Sequence, residues 1–137
     1  MNKQEILKGN KLIAEFMDWS YEQQHRNFRY ADDTKVWKKC WFDTYGIRRT
    51  DKNNPLLFHS SWDWLMPVVE KIETINDLDD GYCSDFVLTA TYHIQNWTVS
   101  ILDNNIEVTE QEGLTKIGTT YKAVVEFIEW YNQNKEL

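Results

Sequence analysis

The sequence predicts an α+β fold in which a three-stranded antiparallel meander packs with about three helices. The first observation is the alternation of apolar and polar residues from Phe86 to Val108, which is typical of strands with one buried face. The second is the helical spacing of bulky apolar residues in 59–72 and near both ends of the chain. The predicted order is helix, variable region, helix, three strands, helix.

At 137 residues the chain has the size of a single domain, 1–137, in which residues 20–55 form a variable insertion. The net charge of −7 argues against general nucleic-acid binding and against anionic membranes, because both select basic surfaces. The two cysteines form no paired motif, and the N-terminus lacks the apolar segment of a signal peptide. We therefore expect a cytoplasmic protein.

The first helix is predicted near residues 10–18. Leu12 and Phe16 lie four positions apart and would share one helical face. Gly9 weakens a helix, so Asn10 is expected to cap the start.

Residues 20–55 form a basic region in an otherwise acidic chain. They hold eight of the fifteen Lys and Arg residues but only five of the 22 acidic residues, so their net charge is +3 and that of the remainder is −10. Residues 36–45 fit a helical stripe that Gly46 would end, and their aromatic and β-branched content fits a strand pair as well. The sequence leaves these two alternatives open.

A second helix is predicted near residues 61–73. Its bulky face, at helical spacing, consists of Trp62, Leu65, Met66, Val69 and Ile72. Ser60 is expected to cap the start, with Asp63 three residues later as in a capping box. Pro67 removes an amide donor, so the helix is expected to kink there or to begin its regular part near Trp64.

The meander is predicted over residues 85–109. Its strands are residues 86–94, residues 97–102 and a segment that begins at Ile106, and the next apolar position, Val108, continues the alternation. Gln95 and Asn96 are predicted to form the first hairpin turn, and residues 103–105 the second. The apolar face is expected to pack against the second and third helices.

The last helix is predicted near residues 114–133. It has one narrow polar stripe, and apolar residues fill the rest of its circumference. So wide an apolar arc predicts a helix that is covered on more than one side, by the sheet and by another helix or a second subunit of a homo-oligomer.

Three stretches together resemble a known family. They are residues 10–19, residues 57–73 around Ser-Ser-Trp-Asp-Trp-Leu-Met-Pro, and residues 121–132, which read Tyr-Lys-Ala-Val-Val-Glu-Phe-Ile-Glu-Trp-Tyr-Asn. They resemble small phage and prophage proteins with an α/β/α (ABA) sandwich domain. The resemblance implies an α/β/α-sandwich-like fold and a phage setting, and it transfers no catalytic residue. Residues 20–55 and 74–84 depart from the family pattern, so specificity is expected there.

Tryptophans and basic residues lie close together within the variable region. The candidate ligand-binding residues are Trp37, Lys38, Lys39, Trp41, Arg48 and Arg49. Base rings stack on tryptophan, and lysine or arginine pairs with phosphate, so a flat anionic ligand requires this mixture. The alternative is that both tryptophans pack inward and the lysines are solvated, because large aromatic side chains usually bury.

His59, Asp63 and His93 are secondary candidates. His59 and Asp63 are four positions apart, but no spacing groups the histidines into a metal-ligand set, and no glycine-rich phosphate loop exists. Ser60 and Ser61 follow His59 without the glycine-rich elbow of a serine nucleophile. We therefore predict no metal, no cofactor and no catalytic residue.

Three classes of function remain open. The first, which we predict, is a non-enzymatic phage accessory protein that binds a host protein or an anionic, nucleotide-like small molecule, with an anti-defence role. The second is a structural module that works as a homo-oligomer. The third is a small hydrolase, which needs a polar constellation that this sequence lacks. No membrane partner is expected, since no apolar run approaches the roughly 18 residues that span a bilayer.

Overall fold

A computed structural model describes residues 1–23, 39–50, 55–75 and 86–134 of the chain. The elements in order are α1 (Lys3–Phe16), β1 (Ser20–Gln23), β2 (Lys39–Phe42), α2 (Trp62–Glu73), β3 (Phe86–His93), β4 (Asn96–Asp103), β5 (Ile106–Gly113) and α3 (Lys116–Asn134). The α+β class and the three-stranded meander are therefore confirmed. Within the residues that the structure describes, no helix combines the length and apolar character that crossing a bilayer requires.

The chain forms two compact units. The first consists of Met1–Ile13 and Leu57–Leu137, and the second of Ala14–Leu56. The second unit has nearly the same bounds as the predicted insertion at 20–55. That the whole chain is a single domain stays a prediction.

Helix α1 begins seven positions earlier than predicted, at Lys3. The side chain of Asn2 accepts a hydrogen bond from the Glu5 amide at 2.8 Å and donates one to the Glu5 carboxylate at 3.0 Å. These bonds satisfy the first turn in the manner of a capping box. The prediction that Asn10 caps the helix is wrong, because Asn10 lies inside it and is buried.

In the first unit, the helices cover one face of the meander. Helix α2 contacts β3 and α3, and α3 packs on β4 and β5. Phe86 and Phe127 meet edge to face, with ring centroids 4.9 Å apart, and Val99 is fully buried. On α3, the Tyr121 hydroxyl donates a hydrogen bond to the Ile6 carbonyl of α1 at 3.0 Å. These contacts confirm that α3 is covered on more than one side.

Helix α2 differs from its prediction at the cap and in its buried face. The N-cap is Ser61, whose side chain makes no capping bond, so the assignment of the cap to Ser60 is wrong. The helix continues through Pro67 to Glu73. Its buried residues are Leu65, Val68, Val69 and Ile72. Trp62 is 37% and Met66 42% exposed, because both lie at the border of that arc and not at its centre.

The first hairpin turn lies one residue before its predicted position. Ile94 and Gln95 form it, with φ of 47° and 57°, and Asn96 already belongs to β4, where it pairs with His93. Two consecutive positive φ values are typical of a type I′ turn, whose twist matches that of the strands. The prediction of Gln95 and Asn96 was wrong because it followed the turn preference of asparagine.

The second turn, at Asn104 and Asn105, confirms the prediction for 103–105, but the strand after it is irregular. Pairing shifts between Ile101 and the next residue of β4, which marks a bulge. Thr109 lies on the buried face opposite Ile101, whereas Ile106, next to the turn, is exposed. The predicted alternation of apolar residues therefore fails in β5.

In the second unit, β1 and β2 form an antiparallel pair. The described residues of the variable region thus adopt the strand-pair alternative, whereas 24–38 and 51–54 lie outside the described residues. A short segment also lies beside β2: the Arg49 amide donates to the Trp41 carbonyl at 2.8 Å, and Phe42 bridges to Arg48. The Trp41 amide donates to the Thr50 hydroxyl at 3.0 Å.

Candidate functional site

The second unit contains a group of rings and cations that we call the cation–aromatic cluster, which consists of Trp19, Tyr21, Lys39, Trp41 and Arg49. Tyr21 lies opposite Trp41 across the strand pair, and their rings stack with centroids 5.1 Å apart and an interplanar angle of 26°. The Lys39 ammonium lies 5.9 Å from the centroid of the Tyr21 ring. Tyr21 is 52% exposed and Lys39 is exposed, so this part of the cluster is accessible to a ligand.

Arg49 lies between Trp19, the third ring of the cluster, and the carboxylate of Asp43. Its guanidinium carbon lies 5.0 Å from the centroid of Trp19, and one guanidinium nitrogen lies 3.6 Å from a carboxylate oxygen of Asp43. The bond from the Arg49 amide to the Trp41 carbonyl fixes the start of the side chain. An ion pair that is partly exposed contributes only about 0–1 kcal/mol, so its main effect is to orient the guanidinium.

Strand geometry places the members of the cluster on one face. Side chains alternate along a strand, so Lys39 and Trp41 project to the same side as Tyr21, which lies opposite Trp41. Cys40 lies between them on the other side and is buried. A face with two stacked rings and two cations has the chemistry that binds a planar group carrying negative charge.

The loop after β2 is organised by Asp43. One of its carboxylate oxygens accepts the amides of Tyr45 and Ile47 at 2.9 and 3.0 Å, and Gly46 adopts a φ of 78°. The positive φ requires glycine at this turn because a β-carbon would be strained there. The loop presents Tyr45, 87% exposed, and Ile47 to solvent. Asp43 therefore both shapes the loop and positions Arg49.

The structure brings together only part of the predicted site. Lys39, Trp41 and Arg49 meet in the cluster, while Arg48, which pairs with Phe42, projects to the opposite face. Trp37 and Lys38 lie outside the described residues.

Sequence reasoning missed Trp19 and Tyr21. The signal that could have found them is their spacing of two residues at the start of β1, since Trp19 directly precedes the strand and Tyr21 lies in it. Trp41 is half-buried, so its side chain is neither packed fully inward nor fully exposed.

The secondary candidates have separate surroundings. The side-chain amide nitrogen of Asn10 lies 3.0 Å from Nδ1 of His59, a distance that fits a hydrogen bond to a neutral ring with its proton on Nε2. Burial lowers the pKa of His59 in agreement with this. Asp63 is exposed in the first turn of α2, and His93 is exposed at the end of β3. The described residues contain no group of three or more side chains that could hold a metal ion.

Comparison of the chain with protein-family models, curated proteins and solved structures finds no match. The resemblance to phage α/β/α sandwich proteins stays a prediction.

Proposed function

We propose that this protein is a non-enzymatic binding protein that recognises an anionic ligand with a flat ring, such as a nucleotide-like signal, through the cation–aromatic cluster. The observation that carries the proposal is the position of Lys39 and Arg49 over rings on the same face as the Tyr21–Trp41 stack. Aromatic side chains stack on a base with about 1–3 kcal/mol each, and the two cations supply partners for phosphate.

Lys39 of the cluster is held weakly enough to turn toward a ligand. A cation over a ring at an exposed site contributes about 0.5–1 kcal/mol. A hydrogen bond from a charged donor contributes about 1.5–3 kcal/mol. A phosphate group at the edge of the rings therefore competes well for Lys39, and it adds to the charge that Arg49 already faces from Asp43.

Charge distribution supports the same site. The chain carries a net charge of −7, so its long-range field repels anions. The variable region has a net charge of +3, so it can attract an anion locally against that field. Exposed charges are screened beyond about 8 Å at physiological ionic strength, so binding should weaken with salt.

We further propose that the protein acts in the cytoplasm, where the phage resemblance would make the ligand or partner a host molecule with a role in defence. The proposal requires neither a metal nor a cofactor. Stacking and charge pairing provide affinity, and the proposed function includes no step that makes or breaks a covalent bond.

A second candidate function, the binding of a host protein, is favoured by the exposed loop after β2. Tyr45 and Ile47 are large apolar side chains that are exposed at a loop whose backbone Asp43 fixes. Tyrosine is enriched at protein interfaces, and a rigid loop loses little entropy on binding. Capture of a host protein by wild type and by a variant of this loop distinguishes the two candidates.

The test is calorimetric titration of the full chain with mono-, di- and cyclic nucleotides and with inorganic phosphate. A nucleotide that binds wild type should bind Lys39→Gln/Arg49→Gln at least about tenfold more weakly, since about 1.4 kcal/mol is tenfold in affinity. The matched control is Lys71→Gln/Lys122→Gln, which removes two cations outside the cluster and should not change affinity.

Two further variants separate the rings from the charges. Tyr21→Phe keeps the ring and should keep affinity, whereas Tyr21→Leu should lose it. If no nucleotide binds, or if the double glutamine variant binds as well as wild type, the cluster is not a nucleotide site. A host protein whose capture is lost only in Tyr45→Ser/Ile47→Ser would support the second candidate.

A further inference from the structure

A groove lies between α2 and the outer edge of β3, within the first compact unit. It encloses about 540 Å³, and its walls include Trp62 and Met66 from α2 and Leu88 and Ala90 from β3. Trp62 and Met66, one helical turn apart, are both exposed large apolar side chains. A contiguous exposed apolar strip of this kind marks an interaction surface.

The groove is bordered by an edge strand, because β3 lies at one end of the order β3–β4–β5 in the described sheet. His93 directly precedes a two-residue turn, so His93 and every second residue before it hydrogen-bond to β4. The backbone groups of Ala90 and Tyr92 therefore point away from β4. Leu88, two residues before Ala90, also directs its backbone groups away from β4, and its amide donates to the Glu73 carboxylate at 3.5 Å.

The next backbone groups along this edge are not paired within the part of the chain that the structure describes. The structure gives the amides and carbonyls of Ala90 and Tyr92 no partner among the described residues. Unpaired groups on an edge strand form a template for a further strand. The apolar groove beside them can hold the side chains of that strand.

The ends of the groove carry opposite charges. Lys116 lines one end, and its ammonium lies 5.4 Å from the centroid of Trp97, which pairs with Tyr92 near the turn. Glu73 lines the other end. Thr120 also lines the groove.

We propose that this groove binds an extended peptide segment of another protein, which pairs with the outer edge of β3 as a fourth strand. Its backbone bonds to Ala90 and Tyr92, and an apolar side chain packs against Trp62 and Met66. An acidic residue of the peptide lies beside Lys116, and a basic residue lies at the Glu73 end. This surface is independent of the cation–aromatic cluster.

The test is selection of binders by the full chain from a displayed library of linear peptides with apolar residues at alternate positions. The most enriched peptide is synthesised and titrated. Met66→Lys, at an exposed position that tolerates the change, should weaken its binding at least about tenfold, and so should Ala90→Pro, which removes an outward amide. The control Thr91→Val alters the exposed side chain next to Ala90 and should bind as wild type.

Further measurements identify the mode of binding. Bound peptide should slow hydrogen exchange at the amides of Ala90 and Tyr92, and selection on Lys116→Glu should exchange the acidic residue of the enriched peptides for a basic one. The proposal is overturned if wild type enriches no peptide, or if the enriched peptide binds Met66→Lys and Ala90→Pro as tightly. A wild-type dimer that Ala90→Pro dissociates would also overturn it, by identifying a second copy as the occupant.

Discussion

The two compact units use aromatic residues in different ways. In the first, the rings of Phe58 and Phe127 are fully buried, and Phe127 meets Phe86 beneath the helices. In the second, Tyr21 and Tyr45 are more than half exposed, and cations lie over the rings of Tyr21 and Trp19. Burial of a phenylalanine contributes about 1.5–3 kcal/mol to folding. A ring that is exposed in the free protein gains this free energy only when a ligand covers it. The buried rings of the first unit therefore stabilise the fold, whereas the exposed rings of the second unit are suited to binding.

The largest expected effect tests this division directly. Phe127→Ala should lower the free energy of unfolding by about 3–5 kcal/mol, because it removes a fully buried ring and leaves a cavity. Tyr45→Ala should change it by about 0.5 kcal/mol or less, as is usual for exposed side chains. Chemical denaturation measures both. Equal losses would show that aromatic residues stabilise the two units alike.

An intermediate effect concerns how closely α1 approaches α3 in the first unit. A β-carbon at Gly9 would overlap the Tyr121 hydroxyl and press on the side chain of Val125. Gly9→Ala should therefore destabilise the protein, since overpacking costs about 1–3 kcal/mol and the better helix propensity of alanine returns about 1 kcal/mol.

The double variant Gly9→Ala/Tyr121→Phe provides the control for this overlap. Tyr121→Phe alone loses the hydrogen bond to the Ile6 carbonyl, at a cost of about 1 kcal/mol. Because the double variant also lacks the overlapping hydroxyl, its loss of stability should be smaller than the sum of the two single losses. Chemical denaturation of wild type, both single variants and the double variant measures these losses. If the loss of the double variant equals the sum of the single losses, the prediction of close packing at Gly9 is wrong.

The smallest effect is a pH dependence in the first unit. Burial lowers the pKa of His59 below its ordinary 6.5, so the folded state binds this proton less well than the unfolded state. The contribution to stability is complete above pH 6.5 and is lost as the pH falls from there toward the folded-state pKa. In His59→Gln the decline over this window should be shallower. If the free energies of unfolding of wild type and His59→Gln fall by the same amount over this window, the prediction is wrong.

Local periodicity was enough to predict β3, β4 and α3 of the first unit. Alternation in β3 and β4 and the apolar arc of α3 each repeat over many residues, so one misplaced residue does not hide the pattern. The turn at Ile94 and Gln95 was misplaced because cross-strand pairing, and not local preference, sets it. Pairing Tyr92 with Trp97 and Ala90 with Val99 brings apolar residues to one face, and this requires positive φ even at Ile94.

The candidate surfaces, by contrast, depend on contacts between distant residues. Trp19 and Arg49 are separated by most of the variable region, and their meeting requires β2 to pair with β1 on one side and with the 48–50 segment on the other. The peptide groove likewise requires α2 to lie along the outer edge of β3. Composition could predict that rings and cations were present in the variable region. It could not predict which of them meet, because pairing between strands depends on the free energy of the whole assembled unit and not on the spacing along one segment.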